Sequence, residues 1–372
     1  MEIRIQQLGD EHSLAYVRSQ IDTFGAHADP AAFRISATGA TAFGVLEGPE
    51  LVAKAAYVQA VTNWNGQRLA TATVRDVTVD AEWRGRKIGR RLLTTLLRDA
   101  HERGCVLATL YPSVPAVYRA LDFEIVADRS LWRLPTAGLA VRRPPEGVTV
   151  RRATFEQAAE FHDRYVRAVD GALVRTAAMW DPALTHTVAV DVSGTRIGHA
   201  SWRRAEDHLL VADLTAVRPE AYFALLGTLA TWADLLPETR LWASAGDPLW
   251  LVLPGNPSEV VGHHRYMARI LDVPRALAVR SWPVDGTAEI GVRDPLVEAN
   301  TGRWRIQASG GAVEIRRVSS DPGVEALTAR ALTALFAGRP GADLAASGLG
   351  TVPDDVLRLF ASGPTPRVFD GF

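Results

Sequence analysis

The fold of this chain is decided by residues 77–97, which read VTVDAEWRGRKIGRRLLTTLL. The stretch passes from a Val-rich segment typical of a strand, through a loop with five cations between Arg84 and Arg91, into leucines at helical spacing. A strand, a glycine-containing loop and a helix N-terminus together form an anion site, because the first N–H groups of a helix lack partners and its dipole favours negative charge. The cations add charge-assisted hydrogen bonds, so the stretch predicts a phosphate-bearing ligand.

Two other interpretations of this basic loop stay open, a solvated charged turn and a nucleic-acid patch. The formal net charge of −1 over 372 residues argues against a nucleic-acid partner, since no extended basic surface is expected from it. The spacing also differs from a P-loop and from a dinucleotide fingerprint, because neither G-x-x-x-x-G-K-[ST] nor G-x-G-x-x-G occurs here.

The surrounding sequence predicts alternating strands and helices in more than one domain, as the length also indicates. Residues 55–60 and 69–79 read as strands joined by a hairpin turn at Asn65-Gly66. A Pro/Gly-rich connection at 136–149 predicts a first domain boundary. The order strand, strand, long helix, strand then repeats, with helices over 155–169 and 222–236, which suggests a degenerate duplication. From about residue 283 three alternating strands and two helical stretches, 323–336 and 353–360, follow.

The strand, Arg84 and Gly89 together resemble the acetyl-CoA signature of GNAT-type N-acetyltransferases, [Q/R]-x-x-G-x-[G/A] after a V-x-V strand. Lys87 departs from that pattern, which has a glycine there; lysine is tolerated if φ is negative and impairs the site if φ is positive. The resemblance implies acetyl-CoA as co-substrate. It implies that its arm and pyrophosphate contact Val77, Thr78, Val79, Arg84, Gly85, Arg86, Lys87, Ile88, Gly89, Arg90, Ser113 and Val114.

Tyr118 lies in YRALDF, which resembles the GNAT element Y-x-x-x-G-F with Asp122 in place of its glycine. Amine attack on a thioester expels a thiolate, and a phenol with an ordinary pKa of about 10 stays protonated at pH 7 to donate to it. Taken alone, a tyrosine on a short helix more often packs than reacts. With the preceding motif, we expect Tyr118 to be the acid, and the rival Tyr111 to be part of the core or pocket wall.

Three further segments extend the resemblance to the Eis (enhanced intracellular survival) family of N-acetyltransferases; they are GALVR at 171–175 with Trp180, MARILDVPRAL at 267–277, and GRW at 302–304. This resemblance implies an α+β fold with two GNAT-like mixed-sheet domains followed by a sterol-carrier-like domain. The expected bounds are 1–135 for the acetyl-CoA domain, 148–282 for a GNAT-like domain without cofactor, and 283–372 for the third. A homo-oligomer, by resemblance a hexamer, is also implied.

The same resemblance implies that the α-carboxylate of Phe372 is the catalytic base. A carboxylate is a weak base toward an alkylammonium, but burial would raise its pKa and a water could relay the proton. The alternative is a tail that only tucks its aromatic ring into a crevice.

Other residues carry weaker signals. His263 and His264 have no further ligand at a zinc spacing, so no metal site is expected. Cys105 is expected to be a buried small hydrophobe. Asp22 and Asp29, near Phe24, could attract a cationic amine. With one cysteine and no long apolar run, the chain is expected to be cytoplasmic and without a membrane partner.

The function expected is acetyl-CoA-dependent N-acetylation of a small-molecule amine, aminoglycoside- or polyamine-like by resemblance, through direct attack in a ternary complex. Two alternatives are retained. One is a lipid- or apolar-ligand-binding protein with a regulatory CoA site. The other is an acyltransferase that uses a longer acyl-CoA or modifies a protein lysine.

Overall fold

The computed structural model describes residues 3–25, 29–140, 145–253, 255, 257, 259–323, 325–361 and 363–371. The first unit contains β1 (Ile3–Gln7), α1 (Ser13–Phe24), β2 (Thr41–Glu47), β3 (Glu50–Trp64), β4 (Gln67–Val79), α2 (Ile88–Glu102), β5 (Leu107–Leu110), α3 (Pro115–Arg119) and β6 (Glu124–Pro135). The second unit contains β7 (Val148–Ala153), α4 (Phe155–Val166), β8 (Thr185–Asp191), β9 (Arg196–Arg204), β10 (His208–Ala216), α5 (Pro219–Ala230), β11 (Glu238–Ala243) and β12 (Glu259–Ile270). The third unit contains α6 (Val273–Val279), β13 (Gly286–Arg293), β14 (Gly302–Ser309), β15 (Ala312–Ser319), β16 (Leu327–Thr328), α7 (Ala329–Phe336), α8 (Gly341–Ala346) and α9 (Asp354–Phe360).

The strands of the first two units form a single 12-stranded sheet in the order β1-β2-β3-β4-β5-β12-β6-β11-β10-β9-β8-β7. Each strand of the first unit has a counterpart in the second whose number is higher by six, so that β1 matches β7 and β6 matches β12. With these matches, the strand order is the same from either edge of the sheet. Both units therefore have one topology, and they are related by a pseudo-two-fold axis through β12 and β6. This confirms the duplication that the repeated pattern suggests.

The last strand of each unit is exchanged between the two halves. β12 pairs antiparallel with β5 of the first unit, and β6 pairs antiparallel with β11 of the second. The two exchanged strands also pair with each other along the middle of the sheet. A boundary at residue 135 consequently divides the sequence but not the sheet.

The hairpin turn predicted from the sequence is present, whereas two predicted helices have different bounds. Asn65 (φ 48°) and Gly66 (φ 74°) are both left-handed between β3 and β4, which fits a tight two-residue hairpin. The helix expected over 222–236 ends earlier, at Ala230. The chain from there to Pro237 forms turns, most of them closed by hydrogen bonds from an N–H to the carbonyl three residues before it. The helical stretch expected over 323–336 is helical only from Ala329, and α8 was not expected.

The third unit packs a four-stranded sheet, ordered β15-β14-β13-β16, against helices and against the first unit. One apolar core joins it to the ends of β3 and β4, where the Trp64 and Phe336 rings lie 4.5 Å apart. Arg269 of β12 and Asp294 after β13 form an ion pair with no exposed side-chain surface, Nη2 to Oδ1 2.7 Å. The α+β fold with two mixed-sheet units and a smaller α+β unit is confirmed.

None of the helices in the described part of the chain is both long and apolar enough to span a bilayer.

Candidate active site

β4 and β5 open into a cleft. They are parallel but pair only at Thr71–Leu107, Ala72–Ala108 and Thr73–Thr109, while β4 continues to Val79. Past the last pair lies a cavity of about 270 Å³. We call this the first cleft; its walls are Gln20 and Phe24 of α1, Val74 to Val77 of β4, and Leu110, Tyr111, Ser113 and Tyr118 after β5.

Tyr118 is the wall residue whose chemistry suits proton donation. It is 8% exposed and packs its ring edge-on to Phe123 at 6.0 Å, and its hydroxyl makes no hydrogen bond to another described residue. Burial raises the pKa of Tyr118 to about 12. The hydroxyl therefore keeps its proton at neutral pH. Asp122, which follows on the turn after α3, adopts φ 62°, the left-handed conformation that the resemblance expects there.

Tyr111, the rival tyrosine, is engaged differently. Its hydroxyl donates a hydrogen bond to the backbone carbonyl of Asp370, and its ring lies 5.2 Å from that of Tyr266. Burial raises the pKa of Tyr111 well above its ordinary value. It forms part of the wall of the first cleft, as the sequence analysis expects, and it also contacts the C-terminal segment.

The basic loop precedes the N-terminus of α2. No side chain caps this helix, so its first N–H groups are left for another acceptor. The loop's four cations up to Arg90 and the following Arg91 are exposed. Arg84 is held in place by a hydrogen bond from Nε to the Val79 carbonyl, 3.1 Å, and Arg86 lies over the Trp83 ring at 4.8 Å. The arrangement fits a diphosphate group.

Lys87 has φ 60°, so the unfavourable of the two sequence alternatives holds. A non-glycine residue there is strained by about 1–2 kcal/mol. Gly85, with φ 76°, adopts the same region without strain. Gly89 serves another purpose: a Cβ on it would meet Val79 Cγ2 at 3.3 Å, so the glycine lets α2 approach β4 closely.

The remaining residues expected to contact acetyl-CoA lie around the same cleft. Val77 lines it, while Thr78 is buried and shares a hydrogen bond of 2.8 Å with Ser19 of α1. Ser113 and Val114 lie at the start of α3, where Ser113 lines the cleft and Val114 is 55% exposed. Of the residues expected to contact acetyl-CoA, Val77 and Ser113 thus line the cleft together with Tyr118, whereas the basic loop does not line it.

Sequence reasoning missed a polar network at the floor of the cleft. Asp76 sits on a bulge in β4 with φ 57° and accepts hydrogen bonds of 2.8 Å from Tyr16 and from Gln20. The fully buried Lys54 donates to Gln20 Oε1 at 2.5 Å and to the Asp76 carbonyl at 3.3 Å. Burial lowers the pKa of Lys54 to about 8. The available signal was the charged pair Arg75-Asp76 interrupting a Val/Thr strand.

Other sequence candidates lie elsewhere. Asp22 is exposed, and Asp29 accepts a turn hydrogen bond from the Ala31 N–H; neither lines the first cleft. His263 hydrogen-bonds Ser130 at 2.9 Å, and no group of three potential metal ligands occurs in the described ranges. Cys105 is buried, as expected.

Phe372, the expected base, lies outside the described residues. The described segment before it ends beside the cleft: Asp370 contacts Tyr111 through its carbonyl, and Gly371 lies near Arg129.

Comparison with known protein families identifies three matches along the chain. A GNAT acetyltransferase domain matches residues 4–126, a second GNAT acetyltransferase domain matches 171–270, and a sterol carrier protein domain matches 273–358.

Among curated proteins, one from Streptomyces avermitilis, named as an uncharacterized N-acetyltransferase, is 27% identical over 84% of each chain. A protein of the same name from Streptomyces griseus is 27% identical over 68% of this chain and 69% of its own. Among solved structures, a GCN5-related N-acetyltransferase from Kribbella flavida is 27% identical with a TM-score of 0.86, covering 100% of this chain and 98% of its own. Eis1 from Mycobacterium abscessus shares the fold at 23% identity, with a TM-score of 0.79 and full coverage of both chains.

Proposed function

Because the chain belongs to the GNAT acetyltransferases, which use acetyl-CoA, we propose that it transfers the acetyl group to a small-molecule amine in the first cleft. The observation that carries this is the opening between β4 and β5, with Tyr118 on its wall and with β4 leading into the uncapped, basic start of α2. The alternative of a lipid-binding protein is not favoured, since two of the three matched domains are GNAT acetyltransferase domains and the relative from Streptomyces avermitilis is named as an N-acetyltransferase.

The start of α2 is suited to hold the diphosphate of acetyl-CoA. N–H groups of the first helical turn would donate to its oxygens, and the flanking cations would add charge-assisted hydrogen bonds. The backbone of Val77 to Val79 faces β3 on one side only, so its other edge is available to the pantetheine arm and the acetyl carbonyl. An amine held beside that carbonyl would react directly, in a ternary complex.

Tyr118 would donate its proton to the departing thiolate. Its raised pKa supports this role, because the phenol stays protonated over the pH range in which an amine can attack.

The carboxylate of Phe372 would accept the proton of the attacking amine. Two observations support this proposal: the adjoining described segment reaches the wall of the first cleft at Tyr111, and Asp370 is largely buried there. Eis1 shares the fold. We extend the proposal to membership of the Eis family and, as the sequence resemblance to that family implies, to a cationic, aminoglycoside- or polyamine-like acceptor, a homohexamer and a cytoplasmic location. The carboxylate of Asp76 on the cleft floor would attract such an amine.

Thiol release from acetyl-CoA, measured across a panel of amines, tests the activity. The panel contains aminoglycosides, polyamines and lysine peptides, each also offered with longer acyl-CoA donors. We expect release that depends on a small amine and on acetyl-CoA. Binding of acetyl-CoA by calorimetry without turnover on any amine would contradict the proposal, and turnover only on peptides would assign a protein acceptor instead.

Two residues, Gly-Ser, added after Phe372 test the base. They displace the carboxylate from the chain position that the proposal requires, so turnover should fall by roughly 100-fold or more. Acetyl-CoA affinity should stay within about twofold, because the loop and β4 are untouched. The same two residues added before Met1 are the control. Unchanged turnover in the C-terminal extension would exclude the base role.

A further inference from the structure

The second unit repeats the opening of the first cleft. β10 and β11 are parallel and pair only from His208–Glu238 to Val211–Leu241, while β10 continues to Ala216. No basic loop follows here: only Val217 and Arg218 separate the end of β10 from the start of α5 at Pro219. The second unit therefore has the strand opening of its counterpart without the anion site beside it. We call this opening the second cleft.

Residues 363–371, which we call the tail, run across the second cleft. Ser244, directly after β11, donates to the Val368 carbonyl at 3.4 Å, and the Arg367 N–H donates to the Asp170 carbonyl at 2.9 Å. The Phe369 ring packs edge-on against two side chains of α4, His162 at 5.9 Å and Tyr165 at 6.1 Å. Val368, Phe369 and Asp370 are each at most 9% exposed.

The tail lies against β10, β11 and α4 as the first cleft lies against β4, β5 and α1. α1 contributes Gln20 and Phe24 to the wall of the first cleft, and α4, its counterpart by topology, contributes the contacts to Phe369. The tail thus fills in the second unit the space that stays open in the first.

A buried arginine anchors the tail. The Arg175 guanidinium, 7% exposed, makes two hydrogen bonds to Asp213 of β10, 2.8 and 2.7 Å, and a third from Nε to the Asp370 carboxylate. It also lies over the Trp180 ring at 4.6 Å. Burial acts to raise the pKa of Asp213, but Arg175 prevails and holds it well below the ordinary range. Burial raises the pKa of Asp370, and the Arg175 charge acts against that rise.

The anchor also connects the two clefts. The segment before Arg175 pairs with the end of β3: the Asn63 N–H donates to the Ala172 carbonyl and the Gly171 N–H to the Asn63 carbonyl, each at 2.8 Å. The side chain of Asp370 accepts a hydrogen bond from Arg175 of the second unit. The backbone carbonyl of Asp370 accepts one from Tyr111 in the wall of the first cleft. One tail residue is fixed from both sides.

We propose that the second cleft binds the chain's own tail, and that Arg175 and Asp213 are positioning residues that hold Asp370 against Tyr111 at the first cleft. The docking part stands on the contacts alone. The effect on acetyl transfer rests on the proposed function, in which the residue after the tail is the base.

Asp370→Asn tests the proposal with the least risk to folding, because the Arg175–Asp213 pair remains intact. Hydrogen exchange of the tail amides in the full chain should rise by about tenfold or more, since the ion pair with Arg175 is replaced by a weaker hydrogen bond to a neutral amide. The kcat should fall by about tenfold or more, with the KM for acetyl-CoA within twofold, since the loop at α2 is unchanged. Arg175→Lys keeps the positive charge but lacks the planar guanidinium group that donates to Asp213 and Asp370 at the same time. It should show the same changes.

Glu160→Gln is the matched control, since Glu160 pairs with Arg196 on the surface of the second unit away from the tail; it should change neither quantity. Unchanged exchange in Asp370→Asn would overturn the docking. Raised exchange with unchanged kcat would overturn the positioning role. If the chain acetylates no amine, the proposed function fails, whereas the exchange measurement still decides whether the second cleft binds the tail.

Discussion

At the scale of single residues, burial keeps the Tyr118 hydroxyl protonated, as the proposed role of proton donor requires. The side chain lines the first cleft, and its pKa of about 12 keeps the phenol protonated. A raised tyrosine pKa means that the proton-donating form persists up to the raised value and is lost only as the pH passes through it.

Tyr118→Phe should therefore lower kcat by roughly 100-fold or more while leaving acetyl-CoA affinity within about twofold. In the parent protein, the titration of Tyr118 should produce no loss of kcat up to about pH 10. Steady-state thiol release from pH 6 to 10 measures both.

Tyr57→Phe is the control, because the Tyr57 hydroxyl bonds Asp99 on the outer side of α2 and not the cleft. Full activity of Tyr118→Phe would move the acid role to another group.

Lys87 shows strain at a site of expected binding. Its φ of 60° is one that glycine adopts freely, so the side chain is retained at a conformational cost.

Lys87→Gly should raise the free energy of unfolding by about 1 kcal/mol relative to Lys87→Ala, because alanine keeps the strain and both lose the same charge. Urea denaturation of the two variants measures the difference. Equal stability of the two variants would contradict strain at this position.

At the scale of elements, sequence patterns identified what local chemistry determines. The Asn65-Gly66 turn, the leucine face of α2 and the alternating strands of the third unit are each set by residues close in sequence, and each is present. The end of α5 was placed six residues too late, because its apolar pattern continues into turns before Pro237.

Strand exchange could not be derived in the same way. The sequence of β12 would suit antiparallel pairing with any strand of the sheet. Nothing in residues 259–270 therefore indicates that the neighbours of β12 are β5 and β6. The motif residues of the first cleft were predicted because they are contiguous with the loop. Asp76, Lys54 and the Arg175–Asp213 anchor were not, because their partners come from distant parts of the chain.

At the scale of the whole molecule, the third unit is joined to the large sheet by a buried ion pair. Arg269 and Asp294 have no exposed side-chain surface, and Asp294 also accepts hydrogen bonds from the N–H groups of Leu296 and Val297 at 3.0 Å.

Asp294→Ala should lower the free energy of unfolding by about 3–5 kcal/mol, because it leaves the Arg269 charge buried and unpaired. Glu289→Ala, which removes an exposed pair with Arg305 in the same unit, should change it by less than about 1 kcal/mol. Chemical denaturation of both variants measures the contrast. A similar small effect for both would mean that the two units are not coupled through this pair.

The exchange of β6 and β12 also fixes the order in which the protein can be assembled during synthesis. β5 and β6 are made early, yet the strand that separates them ends only at Ile270. Until the ribosome has extruded that strand, each of the two early strands presents an open edge, the kind of surface that pairs with other chains. The wall of the first cleft near Tyr111 and Tyr118 is thus completed after roughly three quarters of the chain exists, so nascent fragments would lack a finished first cleft.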